Sequence, residues 1–193
     1  MNITATSERL VHADLARLVK YCDALAAGRP MPRREDFRPT DVRWMIGKMY
    51  MIDVLDDGAD YCFRLFGNFW QTIYGVDLTG RRLSALEASG NLTALRPVYD
   101  AVAKTREPLF QPGKLVWPNQ KSISYERLLL PFSNNDGRVS LILAAAHCDM
   151  TVEDLVLYRG CGLPQLVIDG QIIHSPSSAK TNANQLAAAS SLT

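Results

Sequence analysis

Few side chains in this sequence are placed to do covalent chemistry. His147 and Cys148 are neighbours on a predicted strand. Successive strand side chains point to opposite faces, so the two cannot meet as base and nucleophile. A Cys–His or Ser–His–Asp arrangement needs that meeting. Cys161 lies between Gly160 and Gly162, a loop setting for a thiol. Asp53 and Glu126 are candidate carboxylates, but their spacing suggests no acid–base pair. Gly75 and Gly80 read as turn glycines and not as a phosphate cradle. The four cysteines Cys22, Cys62, Cys148 and Cys161 form no C-x-x-C pair. A structural zinc or thioredoxin-type site is therefore not expected, and no metal site is assigned. His12 and His174 look incidental. A small α+β enzyme using Arg127, His147 or Asp53 ranks last among the readings.

Binding residues are better supplied. Phe69, Trp70, Ile73 and Tyr74 stand at helical spacing, ended by Gly75. Val98, Tyr99 and Val102 share a face of a second predicted helix. Tyr125, Arg127 and Leu129 share one face of a strand, and Leu128 and Leu130 take the other. Two parities are open. If the Tyr125 face points inward, Arg127 is a charge in an apolar pocket and needs a carboxylate from the protein or a ligand. With the opposite parity it is solvated. His147 is either a pocket residue or a packed strand histidine. The aromatic residues read as core or as the walls of a ligand box.

Composition narrows the partners. In 193 residues, 21 Lys plus Arg face 20 Asp plus Glu, a formal charge of +1. That balance argues against nucleic acid and against a polybasic membrane surface. Met1–Leu10 has no apolar signal core, and the longest strongly apolar run is Leu141–Ala146. A cytoplasmic protein with reduced thiols is expected.

The positioning elements follow from periodicity. Ser7 caps a predicted helix over Glu8–Ala27, with Val11, Leu15, Leu18, Cys22 and Leu25 on one stripe. The stripe packs on its own domain or also meets a second copy. Arg29–Arg43 is a basic, proline-bracketed connector, read as a solvated linker in preference to an anion contact. Strands are predicted at Lys48–Leu55 and Tyr61–Phe66, joined through Asp56, Asp57 and Gly58. Helical pieces follow at Gly67–Tyr74, Arg81–Leu86 and Thr93–Thr105, the last with Pro97 in its first turn. Three strands come next: Leu109–Trp117, interrupted at Pro112 and Gly113; Ser122–Phe132; and Arg138–Cys148. The last is apolar on both faces, with Val139, Leu141 and Leu143 on one and Ile142, Ala144 and Ala146 on the other. Such a strand is central and covered twice, and the N-terminal helix is its natural second cover. Thr151 caps a possible helix over Val152–Tyr158. Leu166–Ile168 and Gln171–Ile173 flank the turn signal Asp169–Gly170.

This order resembles a PAS domain of a single-domain bacterial branch. The matching pieces are Gly28–Phe37, Phe63–Gly67, Tyr74–Arg81 and Leu128–Ser133, followed by Asp136–Val139. The resemblance implies an α+β fold: a five-stranded antiparallel sheet with helices on one face. To this the sequence adds an N-terminal amphipathic helix and a C-terminal hairpin. The expected divisions are 1–47 for helix and connector, 48–150 for the core, 151–174 for the extension and 175–193 for a disordered tail. The resemblance further implies a sensory or regulatory module that binds a small molecule, holds a cofactor or mediates dimerisation. Thr93–Arg106 has no His for an axial haem ligand, and Gly67–Arg82 has no Cys for flavin photochemistry, so haem and flavin are both disfavoured. The expected ligand-binding set is Phe69, Trp70, Ile73, Tyr74, Val98, Tyr99, Val102, Tyr125, Arg127, Leu129 and His147. The function expected is a non-catalytic module that binds a small organic ligand and signals through a homodimer formed by its N-terminal helix. The alternative is a ligand-free interaction scaffold.

Overall fold

Alternating and doubly apolar runs assemble one antiparallel sheet. The computed structural model describes residues 12–89, 92–151, 154, 158, 164–168 and 171–173. Its strands are β1 Met49–Leu55, β2 Asp60–Phe66, β3 Leu109–Val116, β4 Ser122–Ser133, β5 Val139–Cys148, β6 Gln165–Ile168 and β7 Gln171–Ile173. They lie in the order β2-β1-β5-β4-β3-β6-β7. Five strands form the expected sheet, and the C-terminal hairpin lengthens it by pairing β6 with Gly113–Val116 of β3. The turn residues Asp169 and Gly170 lie outside the described residues.

β5 sits between β1 and β4 and is covered on both faces, as its composition requires. Ile142, Ala144 and Ala146 face one core, and Leu141, Leu143 and Ala145 the other. Val139 was expected beside Leu141 but joins the first core. The register between β4 and β5 shifts at Phe132/Ser133, placing one extra β5 residue there. Such a bulge reverses the alternation.

The first core is closed by α2 Asn68–Tyr74, α3 Leu83–Ala88 and α4 Arg96–Thr105. α4 has Pro97 in its first turn and is preceded by a single 3-10 turn, Thr93–Leu95. α3 starts at Leu83, two residues later than expected. The second core is closed by α1 Ala13–Ala26, whose Leu15, Leu18, Val19 and Cys22 are fully buried against Leu128, Leu130, Leu141 and Leu143. Of the two readings of this stripe, packing on its own domain is the one found: it is taken up by this chain's own sheet. Ser7 and Val11 lie outside the described residues.

The connector is not a solvated linker. It forms 3-10 turns at Arg34–Asp36 and over Pro39–Lys48, the second broken at Val42. Phe37, Val42 and Met45 are buried in the second core. Arg29 spans back to the Leu25 and Ala26 carbonyls and to Asp36 at 2.6 Å. Arg17 lies 3.5 Å over the Trp44 ring. These contacts join connector to helix, and the prefix therefore packs with the core.

β3 runs unbroken through Pro112 and Gly113. Pro112 lies one residue past the segment paired to β6, at an exposed stretch of the sheet edge where a missing N–H is tolerated. Gly113 is required by space. A Cβ there would collide with the Tyr125 ring and come within 2.7 Å of the Val167 carbonyl oxygen.

Candidate functional site

Arg127 projects inward. It is 1% exposed and shares the first core's face with Tyr125 and Leu129. Its cross-strand partners are Gln111 on β3 and Ala146 on β5. Ala144 and Ala146 leave room above β5, so the guanidinium reaches across that strand to β1. There Arg127 Nη1 donates to the Tyr50 hydroxyl at 3.0 Å, while Nη2 donates to Gln111 Oε1. Nε has no hydrogen-bond acceptor among the described residues.

Tyrosines surround this cation: Tyr50, Tyr74, Tyr99 and Tyr125 all act on its charge. Burial pushes the Tyr74 and Tyr99 phenols well above their ordinary range. They stay protonated at neutral pH and supply dipoles, not charge. Burial is the largest effect on the guanidinium and disfavours it, and the surrounding tyrosines oppose that penalty. Arginine does not deprotonate in proteins. The site therefore carries a buried positive charge with no carboxylate on it among the described residues.

The helical wall is aromatic. Trp70 donates through Nε1–H to the Lys48 carbonyl at 2.9 Å, which fixes its indole. Its ring lies 5.6 Å from Tyr50, 6.1 Å from Tyr74 and 6.4 Å from Tyr125. Tyr99 packs 5.3 Å from Tyr61, whose hydroxyl donates to Asp100 at 2.6 Å. Ile73, Val102 and Leu129 are buried in the same core, with Phe69 and Val98 partly buried at its margin. Ten of the eleven expected residues thus border one interior.

His147 does not. Cys148 faces the first core, so strand alternation sends His147 to the opposite side. There it stacks on His12, centroids 3.8 Å apart. His12 is accordingly not incidental. Burial first, then Lys48 and His12, push the His147 imidazole below its ordinary range. Burial raises the Cys148 thiol to about 12, so it is neither paired with His147 nor activated. Asp53 is held by Arg34 at 3.2 Å and Arg64 at 3.1 Å. Glu126 is buried on the His12 side and accepts the His12 backbone N–H at 3.3 Å. Cys161 and His174 lie outside the described residues.

Tyr50 and Gln111 are members of the site that periodicity alone passed over. Gln111 had a usable signal, a polar residue opposite Arg127 in the strand register. Two surface clefts, of about 380 and 250 Å³, lie elsewhere, beside Arg34 and Ser133 and beside Asp57 and Arg138.

A family model described as a PAS domain matches residues 10–146. No curated protein matches the chain. Solved structures similar to it include an RNA-binding light-oxygen-voltage receptor, at 14% identity and TM-score 0.40, covering 64% of this chain and 34% of that one. The PAS domain of Bordetella pertussis BvgS shows 17% identity and TM-score 0.39, covering 58% and 83%. The VqmA–ligand–DNA complex from Vibrio cholera shows 12% and 0.39, covering 66% and 59%. This chain spans about a third of the length of the first of these structures.

Proposed function

This chain belongs to the PAS domain family, and from that membership we propose a non-catalytic sensory module that receives a small organic anion against Arg127. The observation that carries this reading is the buried guanidinium, facing phenols and an amide, with Nε unpaired among the described residues. A buried charge without a counter-charge costs several kcal/mol, on the order expected for an isolated ion. A ligand carboxylate would neutralise it and accept from the guanidinium edge. Phe69, Trp70, Tyr74, Tyr99 and Tyr125 would contact the organic part. Ile73, Val98, Val102 and Leu129 would shape the space.

The output would travel through β4. Arg127 faces the ligand, while Leu128 and Leu130 on the same strand face α1. A ligand that binds one arrangement of α1 better shifts the population toward it. Self-association would then use a surface other than the buried stripe of α1. The unpaired thiols Cys22, Cys62 and Cys148 suit a reducing cytoplasm.

The ring-to-ring packing around Trp70 favours a second reading, an interior filled by its own side chains and used as a scaffold. Extraction of denatured protein followed by mass spectrometry separates the two. The sensory reading expects one small carboxylic acid per chain, absent from the Arg127→Met variant. It also expects at least one member of a panel of acetate, pyruvate and succinate to raise the melting temperature of the wild type only. No extracted acid together with no such shift would leave the scaffold reading.

A further inference from the structure

On the face of the sheet opposite Arg127, the start of α1 meets the end of β5. His12, immediately before α1, stacks on His147 with ring planes 24° apart. Asp149, one residue beyond β5, places Oδ1 3.5 Å from His147 Nε2. On the other side of the same ring, Asp14 Oδ2 is 3.8 Å from Nδ1, which is buried and has no hydrogen-bond partner among the described residues. Glu126, the cross-strand neighbour of His147, holds the His12 backbone. Lys48 and His12 act on the His147 ring as positive groups, and the carboxylates of Asp149 and Asp14 oppose them.

One donor atom from each of His12, His147 and Asp149 lies within 4.8 Å of the others. Ligand atoms around a tetrahedral ion with bonds of about 2.1 Å stand about 3.4 Å apart. Side-chain rotation covers that difference, because Asp149 is exposed and both rings are only partly buried. Two imidazoles with one carboxylate are a borderline donor set. It suits a divalent transition ion of the Zn²⁺ type and not Mg²⁺ or Ca²⁺, which prefer oxygen throughout.

We propose that His12, His147 and Asp149 form a three-ligand site for a Zn²⁺-type ion that clasps the start of α1 to the end of β5. Water takes the fourth position, and Asp14, beside Nδ1, would hold the His147 ring from its far side. The ligands come from the start of α1 and the end of β5, so occupancy ties the N-terminal helix to the strand from which the C-terminal extension departs. The ion would limit how far α1 can move from the sheet.

The test is a ZnCl₂ titration of the chelator-stripped full chain by calorimetry, with Co²⁺ absorption as a second readout. The expected result is one ion per chain at micromolar affinity or tighter, with visible Co²⁺ bands of tetrahedral type. His12→Ala and His147→Gln should each weaken binding by about 10-fold or more and remove those bands, and Asp149→Asn should weaken it less. Cys62→Ser should bind as the wild type does. Circular dichroism identifies any variant that fails to fold, and His12→Ala, at the mouth of the site, tests the idea if His147→Gln does so. Unchanged Zn²⁺ affinity in folded His12→Ala, or no saturable binding below about 100 µM in the wild type, overturns the proposal.

Discussion

Arg127 illustrates what a single residue contributes and what decides its role. Its fork is satisfied at two corners, by Tyr50 and Gln111, and unsatisfied at Nε. Two alanines beneath it on β5 make that reach possible. At the same scale, Gly113 is fixed by contact. Gly113→Ala should destabilise the fold by about 1–3 kcal/mol, as overpacking does. Chemical denaturation measures this, and a neutral result would mean that Tyr125 moves aside freely. Asp60 offers a pH-dependent test. Its carboxylate accepts from Ser84 Oγ at 2.7 Å, from the Ser84 backbone at 3.1 Å and from Arg96 at 3.4 Å. Burial pushes its carboxyl up, but these hydrogen bonds outweigh burial and hold it below the ordinary range. The folded-state value is the lower one. The stabilisation is therefore complete above the ordinary value of about 3.9 and is lost as pH falls through the depressed value. Asp60→Asn should cost about 1–3 kcal/mol at pH 7, and the gap to wild type should narrow at pH 3. An equal gap at both pH values would contradict this account.

At the scale of elements, α1 behaves as a structural part of the domain. Its stripe is heptad-like, yet its partner is the sheet. Leu18→Ala should cost about 2–5 kcal/mol, the usual range for a fully buried leucine. Urea melts would show it, and a loss under 1 kcal/mol would mean that α1 is loosely docked. Burial raises the Cys22 thiol to about 12. Cys22 should resist iodoacetamide in the native state and react on unfolding, whereas the partly exposed Cys62 should react first. Peptide mass spectrometry distinguishes these orders, and early labelling of Cys22 would show α1 opening. The central role of β5 was legible from its doubly apolar pattern. The bulge that moves Val139 to the other core was not, because a register shift depends on the partner strand. The connector was misread because its prolines and arginines suggest solvent, while Phe37, Val42 and Met45 find burial only once the sheet exists.

Across the whole molecule, two covers press on one sheet, and β4 and β5 connect them. Among the described residues no helix is long and apolar enough to cross a membrane. Any self-association must use surfaces left outside the two cores. Light scattering should therefore find the molar mass unchanged by Leu15→Ala and Leu18→Ala while the melting temperature falls. A halved mass with unaltered melting would return the stripe to a dimer contact.

By itself the sequence determined the order of elements, the alternation along each strand and the need for cover on both faces of β5. These are local properties, set by periods of two and 3.6 residues and by turn chemistry. Tertiary structure alone decided that Arg127 faces the aromatic helices, that His147 turns away from them and that His12 meets it. Alternation tells which side chains share a face. Which face receives which helix depends on packing between segments distant in the chain, and only the assembled cores select it.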